Sequence, residues 1–412
     1  MFPLSMMLKS FVRTGRLEVI DAAGKSHVFG DGSGPAVTMK LTDPKLYRAL
    51  FLNPELAAGE AYMDGRMSFP GSSLRAFLEL FSVNRNRPGN GHYPVQKALG
   101  GVVRGLKRFQ QANPVGRAQK NISHHYDIGN DLYRLFLDEG LFYSCAVFER
   151  DDETLEEAQR NKCRLIASKL RLQPGMRVLD IGSGWGGLAI YLAKVAGVDV
   201  TGVTLSREQH ALAVDRAEKA GVADKVRFEL KDYRLLDQTF DRIVSVGMFE
   251  HVGVHHYDEF FAKVNTLMPD EGVMLLHSIG HMSPPSTASP WMRKYIFPGA
   301  YSPALSEVFP AVEQNRLWVT DVEFLRVHYA NTLLHWHRRF EANREKVAKL
   351  YDERFCRMWE FYLISAEMMF RTGAQEVFHM QLSRKRDAVP LTRDYIVEAQ
   401  KLYREREAGW PS

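Results

Sequence analysis

Short apolar runs alternate with amphipathic stretches through the second half of this 412-residue chain. The runs RVLDI, DVTGVTL, KVRFEL, FDRIVSV and GVMLLHSI are separated by segments such as LAIYLAKVA and REQHALAVDRAEKA, whose apolar residues recur at helical spacing. That rhythm predicts an α/β fold, a parallel sheet with helices on both faces. The rhythm breaks after Gly280, where HMSPPSTASPWMRKYIFPGAYSP is rich in Pro, Ser and Gly. We read about 281–315 as an insertion over the carboxyl edge of the sheet, where such folds bind ligands. Two long helical patterns follow, roughly Ala330 to Leu350 and Glu353 to Phe370, and then a last strand-like run, EVFHMQL.

Charge divides the chain further. From Asn84 to Tyr126 there is no acidic residue, while Arg85, Arg87, Lys97, Arg104, Lys107, Arg108, Arg117 and Lys120 are basic. Gly and Pro punctuate the same stretch, so it reads as a basic linker over 85–122 between a small N-terminal domain, 1–84, and a catalytic domain, 123–412. The linker is either a solvated connector or a surface for anionic lipid headgroups, near which each Lys or Arg contributes about 1 kcal/mol. Nucleic acid is not expected, because only Tyr93 and Phe109 interleave the charges and no nucleic-acid motif accompanies them. The opening MFPLSMMLKSFVRTGR is too short and too interrupted, by Pro3, to read as a cleaved leader. Three scattered cysteines, Cys145, Cys163 and Cys356, suit neither a disulfide framework nor a zinc cluster and fit a reducing cytoplasm.

Candidate chemistry begins at Met176 to Gly187, MRVLDIGSGWGG. Gly182, Gly184 and Gly187 satisfy the dinucleotide spacing GxGxxG between a strand and a helix. The next strand, however, runs into Thr204-Leu205-Ser206, where a dinucleotide site needs an acid for the ribose. Asp180, two residues before the first glycine, opposes a pyrophosphate but suits a cationic ligand. S-adenosylmethionine, with an ammonium and a sulfonium, meets that description, and glycines let the backbone approach it closely. A tight turn that binds nothing is the plainer alternative.

Blocks beyond the glycine loop extend the picture. HHYDIGNDLYRLFLDEGLFYSCAVFER, VLDIGSGWGG, GVTLSREQ, FDRIVSVGMFEHVG, MLLHSIG, HYANTLLHW and EMMFR occur in order over most of residues 124 to 371. Together they resemble the cyclopropane fatty acid synthase family, which is related to the mycolic acid cyclopropane synthases. The earlier PELAAGEAYMDGRMSF resembles the N-terminal domain of the longer, phospholipid-acting members. The resemblance implies a class I S-adenosylmethionine methyltransferase with a Rossmann-like sheet. Its implied cofactor contacts are Tyr143 and Ser144, then Val178, Leu179, Asp180, Ile181, Gly182, Ser183, Gly184, Trp185 and Gly186. They continue with Thr204, Leu205, Ser206, Arg207, Glu208 and Gln209, and end at Tyr233 with Arg234. That last pair departs from relatives that carry a tryptophan followed by an acid.

The resemblance also implies a bound bicarbonate ion, held by Cys145, Glu250, His277, the backbone at Ile279, and Tyr329. It implies an unsaturated phospholipid substrate, peripheral association with the inner face of the membrane from the cytoplasm, an N-terminal domain that presents lipid, and a homodimer. Ala366 stands where some relatives have a further cysteine, which excludes nucleophilic catalysis from that position, and Glu367 beside it is a candidate helix-face contact.

The implied chemistry adds a methyl group to an isolated cis double bond and then removes a proton to close a ring. The carbocation formed between these steps needs a wall that stabilises it without attacking, a role for Tyr126, Phe142, Tyr143 and Phe249. By residue type alone, Cys145 is more often a small buried hydrophobe and His277, at a strand end, more often a satisfied core histidine, which can donate or accept. His251, His255 and His256 raise a metal reading, but they do not form HExxH and no third ligand is evident. Within the insertion, Trp291, Tyr295, Ile296, Phe297 and Tyr301 offer apolar surface for a tunnel mouth, and Arg293 and Lys294 offer charge for a phosphate. The alternatives to cyclopropanation are methyl-branching of a lipid, N-methylation of a small amine, or lipid binding without catalysis.

Overall fold

The computed structural model describes residues 1–85, 129–287 and 289–410. The expected basic linker, apart from Arg85, and Tyr126 lie outside the described residues.

The larger compact unit takes its described residues from Gln111–Ser286, Gly299–Thr332 and Gln375–Ser412. It is built on seven strands: β5 (Arg177–Ile181), β6 (Asp199–Thr204), β7 (Val226–Leu230), β8 (Arg242–Val246), β9 (Val273–His281), β10 (Trp318–Phe324) and β11 (Gln375–Ser383). Their order is β10-β11-β9-β8-β5-β6-β7. Strands β5 to β9 run parallel, and β11 and β10 are added antiparallel at one edge. Successive residues of a strand face opposite sides, and here both sides are dry. Val178 packs with Leu192, Val200 and Leu275 on one face, while Leu179 packs with Ile243, Phe260 and Leu276 on the other. β6 and β8 lie on opposite sides of β5, so the strand order reverses there, and the crevice at such a switch point is the usual ligand site of the fold.

The smaller unit takes its described residues from Met1–Gln110, Thr287–Pro298 and Leu333–Ala374. It holds a four-stranded sheet of order β2-β1-β3-β4, formed by Arg16–Ile20 (β1), Ser26–Phe29 (β2), Ala36–Leu41 (β3) and Met67–Ser68 (β4). Helix Glu353–Arg371 packs Phe361 on Trp291, with ring centroids 4.7 Å apart. A side chain at Gly59 would collide with the same indole. The chain therefore does not divide in the linear order read from the sequence. Residues 287–298 and 333–374 group with the N-terminal residues because their aromatic faces are buried there, a long-range pairing that local periodicity does not report.

Two elements differ from the expected pattern. WVTDVEF forms strand β10, which its polar, half-buried residues concealed. The pattern from Ala330 to Leu350 is two helices, His328–Ala342 and Arg344–Leu350, broken at Asn343. No helix among the described residues is long and apolar enough to cross a membrane.

Candidate active site

The glycine turn after β5 opens the site. Gly182 and Ser183 both donate their N–H to the Val203 carbonyl, at 2.9 and 3.0 Å, which bends the chain across the end of β6. Gly182 has φ +84°, and a Cβ there would lie 2.8 Å from Met248. Gly184, also at positive φ, has no described residue within 4 Å of where a Cβ would sit, so nothing among the described residues blocks close approach of a ligand to its backbone. Trp185 closes the turn by donating Nε1–H to Asn130 Oδ1 at 2.7 Å, and Arg216 donates to its carbonyl at 2.7 Å.

A cleft forms over this turn. Tyr143, Ser144, Asp180, Ile181, Gly182, Ser183, Gly184 and Trp185 line it, joined by Thr204, Leu205, Gln209, Tyr233 and Arg234. Six other expected contacts lie elsewhere. Val178 and Leu179 are fully buried within the sheet, and Gly186 packs against Phe228. Ser206 caps helix Arg207–Lys219 by accepting the Gln209 N–H, and Arg207 and Glu208 follow as its exposed first turn. Arg234 is already committed, donating to both oxygens of Asp232 at 3.0 and 2.7 Å.

Asp180 fits the expected cation. It is buried, its Oδ2 has no hydrogen-bond partner among the described residues, and burial pushes its carboxyl up to about 7, against the pull of Lys162. A buried carboxylate with an unpartnered oxygen is costly unless a positive group completes it.

Lys162 went unforeseen in the sequence. It lies on helix Leu155–Lys169, fully buried, with its ammonium 3.6 Å from the Phe142 ring centroid and donating to Ser144 Oγ at 3.1 Å. Burial lowers its pKa, opposed by Cys163, Asp138, Cys145 and Asp180. One turn earlier, Gln159 donates to the Ser144 carbonyl at 3.0 Å. These two side chains hold the Phe142–Ser144 wall from behind. His251 also lines the cleft, its ring pushed down to about 4 by burial. His255 is exposed and His256 meets Glu259 at 3.0 Å, so the three histidines have different surroundings.

Of the second group of expected residues, Glu250 follows β8, His277 and Ile279 lie on β9, Tyr329 is in helix His328–Ala342, and Cys145 lies in the segment before helix Leu155–Lys169. Glu250, in a 3-10 turn (Phe249–His251), accepts the Ile279 N–H on Oε1 at 2.6 Å, while its Oε2 has no partner among the described residues. Burial pushes this carboxyl up to about 7. The Ile279 N–H is thus taken, and its carbonyl accepts the Ser278 hydroxyl at 3.1 Å but keeps a second lone pair. His277 is buried two residues earlier, and burial pushes its ring down to about 3. Cys145 is buried and donates to the Ala146 carbonyl at 3.2 Å, and burial raises its thiol far above the usual range, so it is no nucleophile. The Ala146 N–H donates to Thr332 at 3.0 Å, one turn along the helix that begins beside buried Tyr329.

Several expected wall and mouth residues serve the core instead. Phe142 and Tyr143 line the cleft, but Phe249 is buried and stacked on Tyr257 at 4.3 Å. Trp291, Ile296 and Tyr301 are buried. Lys294 and Tyr295 both bind Glu60, at 2.6 and 2.8 Å, and Phe297 packs edge-on against Tyr362. Glu367 pairs with Arg75 at 2.7 Å and Arg371 at 3.1 Å. His337, Glu341 and Glu360 lie close enough to share an ion, but Arg344 already bridges the two carboxylates.

Residues 115–380 match the family described as mycolic acid cyclopropane synthetase. The cyclopropane-fatty-acyl-phospholipid synthase of Escherichia coli (strain K12) is 38% identical over 360 residues, 86% of this chain and 89% of that protein. The tuberculostearic acid methyltransferase UfaA1 of Mycobacterium tuberculosis is 38% identical over 382 residues, 90% and 88% of the two chains. Among solved structures, the cyclopropane synthase MmaA2 from Mycobacterium tuberculosis has a TM-score of 0.63 at 33% identity, covering 66% of this chain and 99% of its own. The mycolic acid cyclopropane synthase CmaA1, complexed with SAH and CTAB, has a TM-score of 0.62 at 36% identity, with the same coverage.

Sheet order, glycine turn and these neighbours together define a class I, S-adenosylmethionine-dependent methyltransferase. Catalysis, not lipid binding alone, is its business. More narrowly, the chain belongs to the mycolic acid cyclopropane synthetase family, alongside the cyclopropane-fatty-acyl-phospholipid synthases.

Proposed function

We propose that this enzyme transfers a methylene bridge from S-adenosylmethionine to the cis double bond of unsaturated acyl chains in membrane phospholipids, closing a cyclopropane ring with bicarbonate as the base. The observation that carries this reading is Glu250, a buried carboxylate with one oxygen tied to Ile279 and the other unpartnered, beside the strand that bears His277. When bound, S-adenosylmethionine supplies an electrophilic methyl carbon and bicarbonate a weak base.

The chain's own residues position the reactants and exclude water, effects worth roughly 7–11 kcal/mol for a poor nucleophile such as an isolated alkene. Asp180 completes the cationic end of the cofactor, and Lys162 and Gln159 hold the wall that carries Tyr143 and Ser144. The rings of Phe142 and Tyr143 face positive charge that develops on the lipid. At the anion, Tyr329 donates a hydrogen bond, Cys145 contributes a neutral thiol, and the open oxygen of Glu250 shares or relays the proton lost from the new methyl group. In this reading the enzyme works as a homodimer at the cytoplasmic face of the membrane, with its N-terminal residues presenting lipid.

Methyl-branching is the second reading, favoured by the name of UfaA1, which is similar over 90% of this chain. Vesicles of an unsaturated phosphoglyceride, incubated with enzyme, S-adenosylmethionine and bicarbonate, decide between them. Ring closure gives a one-carbon mass gain with loss of the double bond. A product that keeps the double bond overturns ring closure in favour of branching, and an unmodified lipid overturns both.

A further inference from the structure

A string of buried side chains leads away from His277. Its Nδ1 lies 2.8 Å from His379 Nε2 on β11, and His379 Nδ1 lies 3.3 Å from Lys169 Nζ. Lys169 Nζ in turn lies 2.5 Å from Glu323 Oε2 and 3.9 Å from Asp321 Oδ1, both on β10. His277, His379 and Lys169 are buried, whereas the Glu323 side chain is 33% exposed, so the string runs from mid-β9, level with Val246 at the carboxyl end of β8, to the surface of the unit.

The direction of each bond follows from its outer end. Burial lowers the pKa of Lys169, but the Glu323 carboxylate at hydrogen-bond distance opposes this and draws its N–H groups outward. An ammonium has three donors and no acceptor, so His379 Nδ1 must accept. Burial lowers the basicity of both rings, more so beside Lys169 and Lys162, and keeps them neutral. A neutral His379 that accepts on Nδ1 carries its proton on Nε2 and donates to His277 Nδ1. His277, accepting there, carries its own proton on Nε2.

We propose that Lys169 and His379 are positioning residues that lock His277 in its Nε2–H form, so that it offers the bound oxyanion a hydrogen-bond donor and is not the base. The inference rests on the reading above that an oxyanion sits at this strand end. It divides the labour there: His277 holds the anion, and proton acceptance is left to the anion and Glu250.

Long-range proton–nitrogen correlation spectra of the full-length enzyme, with its histidine rings labelled, read the tautomer directly, and His277→Asn identifies the signal. The expected wild-type pattern is protonation on Nε2. In His379→Leu and in Lys169→Met the lock is gone, so His277 becomes a mixture of tautomers. Turnover then falls about 10- to 100-fold, the range for loss of a partner that orients a site histidine, with KM for S-adenosylmethionine unchanged. In His379→Gln the side-chain amide replaces the Nε2–H donor, and both tautomer and most of the turnover return. A wild-type His277 protonated on Nδ1 overturns the proposal, as does an unchanged tautomer in both His379→Leu and Lys169→Met. Spectra taken without lipid or bicarbonate keep the tautomer separate from the reaction. Bicarbonate-independent turnover with the tautomer as expected would sink the functional reading and leave the lock standing.

Discussion

Glu250 is costly to keep where it is. Its folded pKa, about 7, lies above its ordinary value of 4.5, so the native state binds the proton more tightly than the unfolded chain does. The stability this confers is fully present below about 4.5 and is lost as pH rises through about 7, where the fold must hold a buried carboxylate with one oxygen unpartnered. Glu250→Gln removes the charge but keeps an oxygen for the Ile279 N–H. Thermal unfolding followed from pH 5 to pH 8 is therefore expected to show a flatter pH profile for the variant, with its melting point at pH 8 equal to or above wild type. Turnover is expected to fall by about 10²- to 10⁴-fold, the usual range for lost acid–base function, with little change in S-adenosylmethionine affinity by calorimetry. Equal loss of affinity and turnover would place Glu250 in the cofactor site or in the fold instead.

In the proposed reaction, helix Leu155–Lys169 serves both halves of the chemistry from behind. Thr154 and Glu157 start it with a reciprocal capping box, and its buried face carries Gln159, Lys162 and Lys169. The first two support the cofactor wall and the third supports His277 through His379. An amphipathic pattern assigns polar residues to solvent, so two inward-pointing lysines are invisible to it, and their partners, Ser144, His379 and Glu323, are far away in sequence. The glycine turn was legible for the opposite reason: its backbone conformation demands glycine locally. Lys162→Met keeps the length of the side chain and removes the ammonium. Asp180, losing the one charge that draws its carboxyl down, is expected to bind a proton more readily. Calorimetry at pH 7 is predicted to show S-adenosylmethionine affinity reduced about tenfold, partly recovered at pH 8.5, where Asp180 is ionised again. Unchanged affinity at both values would confine Lys162 to packing.

At the scale of the whole chain, charge is more informative than shape. The chain has 54 basic and 49 acidic residues, and eight of the basic ones lie between Arg85 and Lys120 with no acid among them. The rest of the molecule is therefore mildly acidic, 46 against 49, and the positive balance belongs to one segment. Chain order made that segment plain, as it did the alternating strands and helices. It did not reveal that residues 287–298 and 333–374 group with the N-terminal unit, because that depends on contacts such as Trp291 with Phe361. The charge asymmetry has a kinetic consequence if, as proposed above, the substrate of the enzyme lies in a bilayer. Near an anionic surface each cation contributes about 1 kcal/mol, so four engaged residues would shift the partition to vesicles by roughly three powers of ten. Screening follows the Debye length, about 10 Å at 0.1 M salt and 3 Å at 1 M, so attraction of this kind weakens steeply over that range. Sedimentation with anionic vesicles is expected to capture most of the enzyme at low salt and little at 1 M. Replacing the eight cations with glutamine should abolish that salt dependence while S-adenosylmethionine affinity stays unchanged. Capture that is indifferent to salt, or that survives the eight replacements, would assign membrane contact to another surface and leave this segment a connector.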